Sequence, residues 1–180
     1  MEINILLRGI YCNKIINKGD YRMNEREILI TNKKEIEVKH RDDHEPFEFY
    51  KYEVTERKLG DQSYVAFYEI PPSKSNFPYH YHLRDEEIFY IISGNGILLT
   101  PEGEKEIKEG DVIVCPPSSN GAHKIINKSQ TEKLTYLDID FVHSPETIIY
   151  PNSNKVGIFK FGEQHKFYKL DKEVKLYDAE

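Results

Sequence analysis

Short strand-like runs, separated by Gly, Pro, Asn and Ser, make up most of the chain. Residues 47–54 alternate imperfectly between polar and apolar side chains and are rich in aromatics, which is typical of a half-buried strand. A second run, residues 64–70, stops at Pro71 and Pro72. Helical periodicity is almost absent, so the pattern predicts an all-β sandwich or barrel. Further strands are predicted at residues 88–92, 97–100, 112–115, 124–126 and 134–139.

Two of these runs flank a strong turn signal. Residues 88–92 and 97–100 are joined by the sequence Ser-Gly-Asn-Gly, which predicts a β-hairpin. Towards the ends the pattern weakens: the charged residues 40–45 indicate a solvated loop, and residues 156–159 indicate an edge strand or a frayed end. Residues 88–92 are apolar on both faces, so one face needs cover from the N-terminal segment or from a second subunit.

Composition narrows the class of protein. The chain has 180 residues, enough for one domain that folds without disulfides or metal. Its net charge of −6 argues against a nucleic-acid partner. No apolar stretch reaches ~18 residues and the N-terminus does not resemble a signal peptide, so we expect a cytoplasmic protein with no membrane partner. The two cysteines, Cys12 and Cys115, are expected to be reduced thiols, Cys115 buried in a strand.

Three histidines and a glutamate are the candidate chemical groups. His80 and His82 lie two residues apart, so on a strand both rings project from one face. A turn after them could bring a glutamate from the next strand beside the rings, and His123 opens a later strand. Three imidazoles and a carboxylate suit a divalent transition metal with open coordination positions. Taken singly, the same histidines indicate only an exposed strand and a hydrogen-bonded loop. Four others stand in polar surroundings with no expected role: His40, His44, His143 and His165.

The combined spacing resembles the two motifs of the cupin superfamily. The residues of the first motif are His80, His82, Glu87 and Gly94. Those of the second are Gly110, Pro116, Gly121, His123 and Asn127. The second motif departs from the usual pattern because extra loop residues separate its proline from its histidine. The amino-acid sequences of residues 77–82, 115–117 and 150–153 are similar to those of single-domain bacterial cupins of the conserved-barrel type. These proteins mostly lack an assigned activity.

This resemblance implies a single jelly-roll barrel, a double-stranded β-helix, over residues 46–142. Residues 1–45 would be an N-terminal extension, and residues 143–180 a C-terminal extension that packs on the barrel. A divalent transition metal ion (Mn, Fe, Ni, Co or Zn) would sit inside, with a small polar molecule such as a sugar or an oxygenated acid beside it. Homodimers are frequent among cupins, so we expect one here. The implied metal ligands are His80, His82, Glu87 and His123.

Two functions remain open at this point. The first is a metal-dependent enzyme, an isomerase or epimerase, a dioxygenase or a decarboxylase. The alternative is a non-catalytic module that binds or senses a small ligand; no helix-turn-helix pattern supports a transcription regulator. No acid or base beside the metal can be picked out by spacing. Tyr79, Tyr81 and Tyr90 are candidates for hydrogen bonds near the site, although packing between strands is the favoured role.

Glu86 and Glu87 compete for the position of the carboxylate ligand. Neighbours on a strand point to opposite faces, and apolar periodicity does not separate the two. Six residues lie between Glu87 and Gly94, as the cupin pattern requires, whereas seven follow Glu86. We therefore expect Glu87 to face inwards and Glu86 to face outwards.

Overall fold

A computed structural model of the chain describes residues 27–58 and 61–178. Strands and short 3₁₀ helices are the only regular elements in these residues, so the predicted all-β class is confirmed. Cys12 and most of the predicted N-terminal extension lie outside the described residues. No helix in the described ranges is long and apolar enough to cross a membrane.

The strands are β1 (Val38–His44), β2 (Phe47–Glu53), β3 (Ser63–Ile70), β4 (Tyr81–His82), β5 (Glu86–Ser93), β6 (Asn95–Thr100), β7 (Gly103–Lys108), β8 (Val112–Cys115), β9 (Lys124–Ile126), β10 (Leu134–Phe141), β11 (Glu146–Tyr150), β12 (Lys155–Phe159) and β13 (Lys166–Lys169). The 3₁₀ helices are Lys33–Glu35, Ser119–Gly121, Pro151–Ser153 and Leu170–Lys172.

Three antiparallel sheets form a jelly-roll barrel. The largest has the strand order β1-β2-β3-β10-β5-β8, the second β13-β12-β11-β4 and the third β7-β6-β9. Leu98, Ile107 and Ile125 of the third sheet belong to the same buried cluster as Phe89 and Tyr136 of the first sheet. The core therefore lies between sheets, as packing of two apolar sheet faces requires.

Strand β10 is the centre of the largest sheet, paired with β3 on one side and β5 on the other. Its side chains alternate between buried and half-buried, and the buried set begins at Leu134 and Tyr136. The Tyr136 ring stacks on Tyr68 with centroids 5.3 Å apart and meets Phe89 edge-on at 5.6 Å. The hydroxyl of Tyr136 accepts a 2.9 Å hydrogen bond from Asn76 Nδ2, so the polar end of this buried ring is satisfied.

The predicted hairpin of residues 88–92 and 97–100 is wrong. Strand β5 pairs with β8 and β10, whereas β6 pairs with β7 and β9. The chain does not reverse at Gly94; it bends there, with φ +85°, and passes from one sheet into another. A Cβ at this residue would lie 2.5 Å from the carbonyl oxygen of Lys133. Glycine is required here by the close approach of another backbone rather than by a tight turn.

Towards both ends of the described residues, the structure contains more strands than the pattern of apolar and polar residues predicts. Residues 40–45, expected as a loop, lie largely in β1, which is exposed along its length and pairs with β2. An edge strand with charged side chains on both faces has no alternation of apolar and polar residues, so its sequence does not predict a strand. Residues 156–159 are neither an edge nor frayed, because β12 pairs with β11 on one side and β13 on the other. Neither β7 nor β11 was predicted.

Replacing Gly94 by alanine is expected to destabilise the barrel more than the same change at Gly110. Both glycines have positive φ, +85° and +90°, so each substitution carries backbone strain of about 1 kcal/mol. Only Gly94→Ala also forces Lys133 aside, and we expect it to lower the free energy of unfolding by about 3 kcal/mol. Urea unfolding of the two variants measures the difference. Equal losses would show that the contact with Lys133 costs nothing.

Candidate metal centre

Three chain segments deliver four buried side chains to one point inside the barrel. His82 lies on β4, and His80 just before it forms a backbone bridge with His123, with N–H to carbonyl distances of 3.1 and 2.9 Å. Glu87 comes from β5, after the turn that follows β4. All four residues are less than a tenth exposed. The four residues named from the sequence are thus brought together, and Glu86 is not among them.

The three Nε2 atoms converge on the Glu87 carboxylate. His82 Nε2 lies 3.4 Å from Oε1, while His123 Nε2 and His80 Nε2 lie 3.1 and 3.9 Å from Oε2. The ring centroid of His80 is 4.7 Å from that of His123 and 5.4 Å from that of His82. His80, Glu87 and His123 each offer a ligand atom within 4.8 Å of the others, and His82 approaches the same carboxylate at its other oxygen.

Two of the histidines are held by backbone carbonyls. His80 Nδ1 is 2.8 Å from the carbonyl oxygen of Pro78, and His123 Nδ1 is 2.9 Å from that of Gly121. A carbonyl oxygen only accepts, so each Nδ1 carries the proton and each Nε2 keeps its lone pair for the site. That is the tautomer a metal ligand needs.

The extra loop residues before His123 do not displace it. They form the 3₁₀ helix Ser119–Gly121, and the Ser118 N–H donates to the carbonyl oxygen of His82 at 2.8 Å. At Gly121 a Cβ would lie 1.9 Å from the carbonyl oxygen of Pro116, so this tight loop tolerates no side chain there. The loop therefore closes directly against β4.

Asn127, the last residue of the second motif, has a structural place rather than one at the site. It is fully buried, and its Nδ2 donates to the carbonyl oxygens of Ile70 and Glu132 at 2.9 and 2.8 Å. Its Oδ1 accepts from the Ser129 N–H at 3.0 Å. The side chain thus ties together the loops beside β9.

Two aspartates that the sequence reasoning missed lie next to Glu87. Asp138 and Asp140 occupy buried positions of β10, and each offers an oxygen within 4.8 Å of the others and of Glu87. Arg57 forms an ion pair with Asp140. Period-two alternation from the buried Leu134 would have placed both aspartates on the inward face, so the signal was present in the sequence.

Glu87 carries a charge that its neighbours balance. Burial alone would raise the pKa of Glu87, but His82 and His123 outweigh it and hold this pKa well below its ordinary value. Burial would lower the pKa of His82, but Glu87 and Glu146 raise it to about 10. Burial and the neighbouring His123 lower the pKa of His80 to about 3. One carboxylate therefore supports one imidazolium.

The aspartates respond in the opposite direction. Burial and the neighbouring Asp140 raise the pKa of Asp138 well above its ordinary value. Burial and Glu87 raise the pKa of Asp140 to about 6, despite the opposing effect of Arg57. These carboxyl groups can hold a proton beside the site near neutral pH.

The donor set fits a transition metal ion. Among residues 27–58 and 61–178, Glu87 Oε2 has no hydrogen-bond donor although His123 Nε2 lies 3.1 Å away, and a buried oxygen in that state needs a ligand or water. Three nitrogens and one carboxylate oxygen are the ligands that such metals prefer. Two other groups of three side chains could also hold a cation: His82 with Asp85 and Glu146, and Glu87 with Asp138 and Asp140.

The remaining candidates lie away from this point. Tyr90 is exposed on the outside of the barrel, and Tyr79 and Tyr81 make no hydrogen bond to the four residues within the described chain. Cys115 is buried in β8 as expected, and burial together with Glu87 raises the pKa of its thiol to about 12. Of the four other histidines, only His143 approaches the site: its Nδ1 lies 2.9 Å from Asp85 Oδ1.

The four side chains of the cluster are buried. Two surface cavities, of about 660 and 150 Å³, are lined by β6, β7 and Lys128 and by β12, β13 and the residues between them. Neither includes a residue of the cluster. The Tyr150 ring of β11 stacks on His80, with centroids 5.8 Å apart.

Comparison with known proteins gives a family match in the middle of the chain. A family model described as a cupin domain matches residues 66–140. An uncharacterized protein of Methanocaldococcus jannaschii, MJ1618, is 40% identical over 58 residues, which are 32% of this chain. The matched part spans 45% of that protein, less than half of its length.

Solved structures extend the likeness in fold over most of the chain. A provisionally named sugar phosphate isomerase of Acidithiobacillus ferrooxidans has a TM-score of 0.67 at 23% identity, over 82% of this chain and 96% of that one. A sugar phosphate isomerase from a cupin superfamily, of Silicibacter pomeroyi, has a TM-score of 0.65 at 18% identity, over 81% and 95%. At these identities the likeness shows the fold.

The charge balance around Glu87 predicts how the histidines titrate in protein stripped of metal by a chelator. At pH 7 His82 should be protonated, since its pKa is about 10, and His80 neutral, since its pKa is about 3. Histidine NMR signals followed against pH measure both. Glu87→Gln should lower the pKa of His82, whereas Glu86→Gln should leave it unchanged. A His82 ring that is neutral at pH 7 would contradict this balance.

Proposed function

We propose that this chain, whose residues 66–140 match a family model described as a cupin domain, holds a divalent transition metal ion and acts on a small polar molecule inside the barrel. The ligands in this proposal are His80, His82, Glu87 and His123. We also propose that the protein works in the cytoplasm and, given its net charge of −6, without a nucleic-acid partner.

The observation that carries the proposal is the convergence of the three Nε2 atoms on Glu87. Histidine rings that only filled a core would not need to present the same nitrogen to one carboxylate. Here two of them are held in the required tautomer by carbonyl acceptors. Burying an ionised carboxylate costs several kcal/mol; in the metal-free protein the His82 imidazolium offsets this cost, and a bound metal ion would replace that charge.

An enzyme is the function that the surroundings of the site favour. A bound metal would polarise a carbonyl oxygen of the small molecule or activate water. Asp138 and Asp140 would hold or move a proton beside it, and Arg57 would keep Asp140 oriented. Proton movement next to a polarised carbonyl is the chemistry of sugar isomerisation, the activity in the names of the two structural neighbours. We therefore favour an isomerase or epimerase acting on a sugar.

One observation favours the alternative, a non-catalytic binding module. The four side chains are buried and the Tyr150 ring stacks on His80, so side chains around the site would need to move before a substrate could reach the metal. A structural or sensing site does not need rapid exchange. Turnover of simple sugars by the metal-loaded protein would separate the two functions.

Glu87→Gln is expected to reduce metal content sharply, whereas Glu86→Gln should leave it nearly intact. Glu87 faces all three Nε2 atoms and Glu86 faces away, so only the first change removes a charged ligand. Elemental analysis of protein purified without added metal, followed by titration with Co²⁺ or Zn²⁺, measures both variants. We expect about one ion per chain in the unmodified protein and a loss of affinity of about 100-fold in Glu87→Gln. The reverse order of the two variants would refute the assignment.

The outer face of the largest sheet supports the proposal of a homodimer. Val112 and Val114, on the edge strand β8, are 63% and 54% exposed. They stand opposite Tyr90 and Ile88 of β5 in the sheet register. The same rows continue into β10, where Leu137 pairs with Tyr90 and Ile139 with Ile88. An apolar face that continues over three strands to a sheet edge is a surface that a second copy of the chain would cover.

Val114→Asp is expected to separate the proposed dimer. The charge would be buried at the interface without a partner, so the mass by light scattering should fall from twice the chain mass to 21.2 kDa. Val38→Asp is the matched control, because Val38 is an exposed valine at the opposite edge of the same sheet. Unmodified protein with the mass of one chain at micromolar concentration would rule the dimer out.

A further inference from the structure

Glu146 lies directly behind His82. It is the first residue of β11, which pairs with β4 so that Ile148 stands opposite His82. Its side chain is 3% exposed, and Oε1 accepts hydrogen bonds from the N–H groups of Leu83 and Arg84 at 2.9 and 3.1 Å. The same oxygen is 3.6 Å from His82 Nδ1. The carboxylate is thus fixed by backbone donors before it meets the ring.

His82 differs from the other two histidines in what stands behind its ring. His80 and His123 have carbonyl oxygens within hydrogen-bond distance of Nδ1. His82 Nδ1 is buried and has no hydrogen-bond partner among the described residues, and Glu146 Oε1 is the acceptor that stands beside it. A buried ring nitrogen in this state needs a partner, and 3.6 Å is only slightly longer than a hydrogen bond.

We propose that Glu146 is the positioning residue of His82, the acceptor that keeps the proton on Nδ1 and turns Nε2 towards the site. This inference rests on the proposed metal function. All three histidines then share one arrangement, with Nδ1 held from behind and Nε2 presented forwards. A carboxylate makes the ring a stronger donor than a carbonyl does, so His82 would be the most basic of the three ligands.

The proposal extends the site beyond the region matched by the cupin-domain family. That region ends at residue 140, whereas Glu146 belongs to the strands that follow it. Strand β4 is short and has β11 as its partner in the second sheet. The second sheet would therefore be part of the metal centre rather than a separate addition to the barrel.

Three variants separate positioning from simple support of the turn. Glu146→Ala removes the acceptor together with two backbone hydrogen bonds. Asp85→Ala is the matched control, because Asp85 is equally buried in the same turn and its Oδ1 accepts two hydrogen bonds, from the His143 N–H and from His143 Nδ1. Glu146→Gln keeps an oxygen acceptor and removes only the charge.

Affinity for Zn²⁺, measured by competition with a chelating dye, is the first measurement. We expect a loss of about 10- to 100-fold in Glu146→Ala, a smaller loss in Glu146→Gln and a loss below about threefold in Asp85→Ala. Equal losses in Glu146→Ala and Asp85→Ala would overturn the proposal, since the two side chains would then act alike, either by supporting the turn or as ligands of a cation bound with His82. Affinity in Glu146→Ala equal to that of the unmodified protein would also overturn it.

The histidine ring protons provide a second measurement that survives poor folding of Glu146→Ala. In Zn²⁺-loaded protein, ¹H–¹⁵N spectra should show three Nδ1 protons, and Glu146→Gln should shift that of His82 alone. A shift of all three signals, or of none, would overturn the positioning role. Unmodified protein that binds no Zn²⁺ would instead reject the proposed metal function, so the two failures are distinguishable.

Discussion

A charged carboxylate that is shielded from water is the constraint on which this barrel depends. Glu87 is buried, and an ion in that position is tolerated only if other groups balance it. Its neighbours divide accordingly: His82 keeps a positive charge, while the raised pKa of Asp138 keeps that side chain neutral. Arg57 reaches in from a loop to meet Asp140. The distribution of charge inside the barrel is therefore an adjustment to Glu87.

The turn between β4 and β5 carries this constraint to the rest of the fold. This turn, residues 83–85, connects His82 on β4 to the strand that carries Glu87. Asp85 fastens one side of the turn to His143, and Glu146 caps the other side through two backbone N–H groups. Both contacts come from the chain that follows β10. The geometry of the site is thus set jointly by two sheets.

The features of the site that depend only on the geometry of a single strand could be predicted from the sequence. The side-chain period of a strand is two, so spacing alone was enough to place His80 with His82 and to separate Glu87 from Glu86. The prediction from sequence was wrong at Gly94. A glycine in a tight turn and a glycine that packs against the carbonyl oxygen of a distant residue give the same signal in the sequence. The contact between Glu146 and His82 lay equally out of reach, since it depends on which strand pairs with β4. The spacing of a motif predicts which side chains of one strand share a face, whereas the residues that contact those side chains from other strands depend on the topology of the sheets.

The central place of β10 has a consequence for how the protein is made. As the chain leaves the ribosome, β3 and β5 emerge long before the strand that will lie between them, and each exposes an unpaired edge. Sheets that pair strands distant in sequence form slowly, because the entropic cost of closing the long loops comes before the stabilising contacts between strands. The nascent barrel therefore passes through a stage in which chaperones or aggregation compete for its open edges. Strand β11, which pairs with β4 beside the site, follows β10 in the chain, so this part of the enclosure around Glu87 is synthesised after β10.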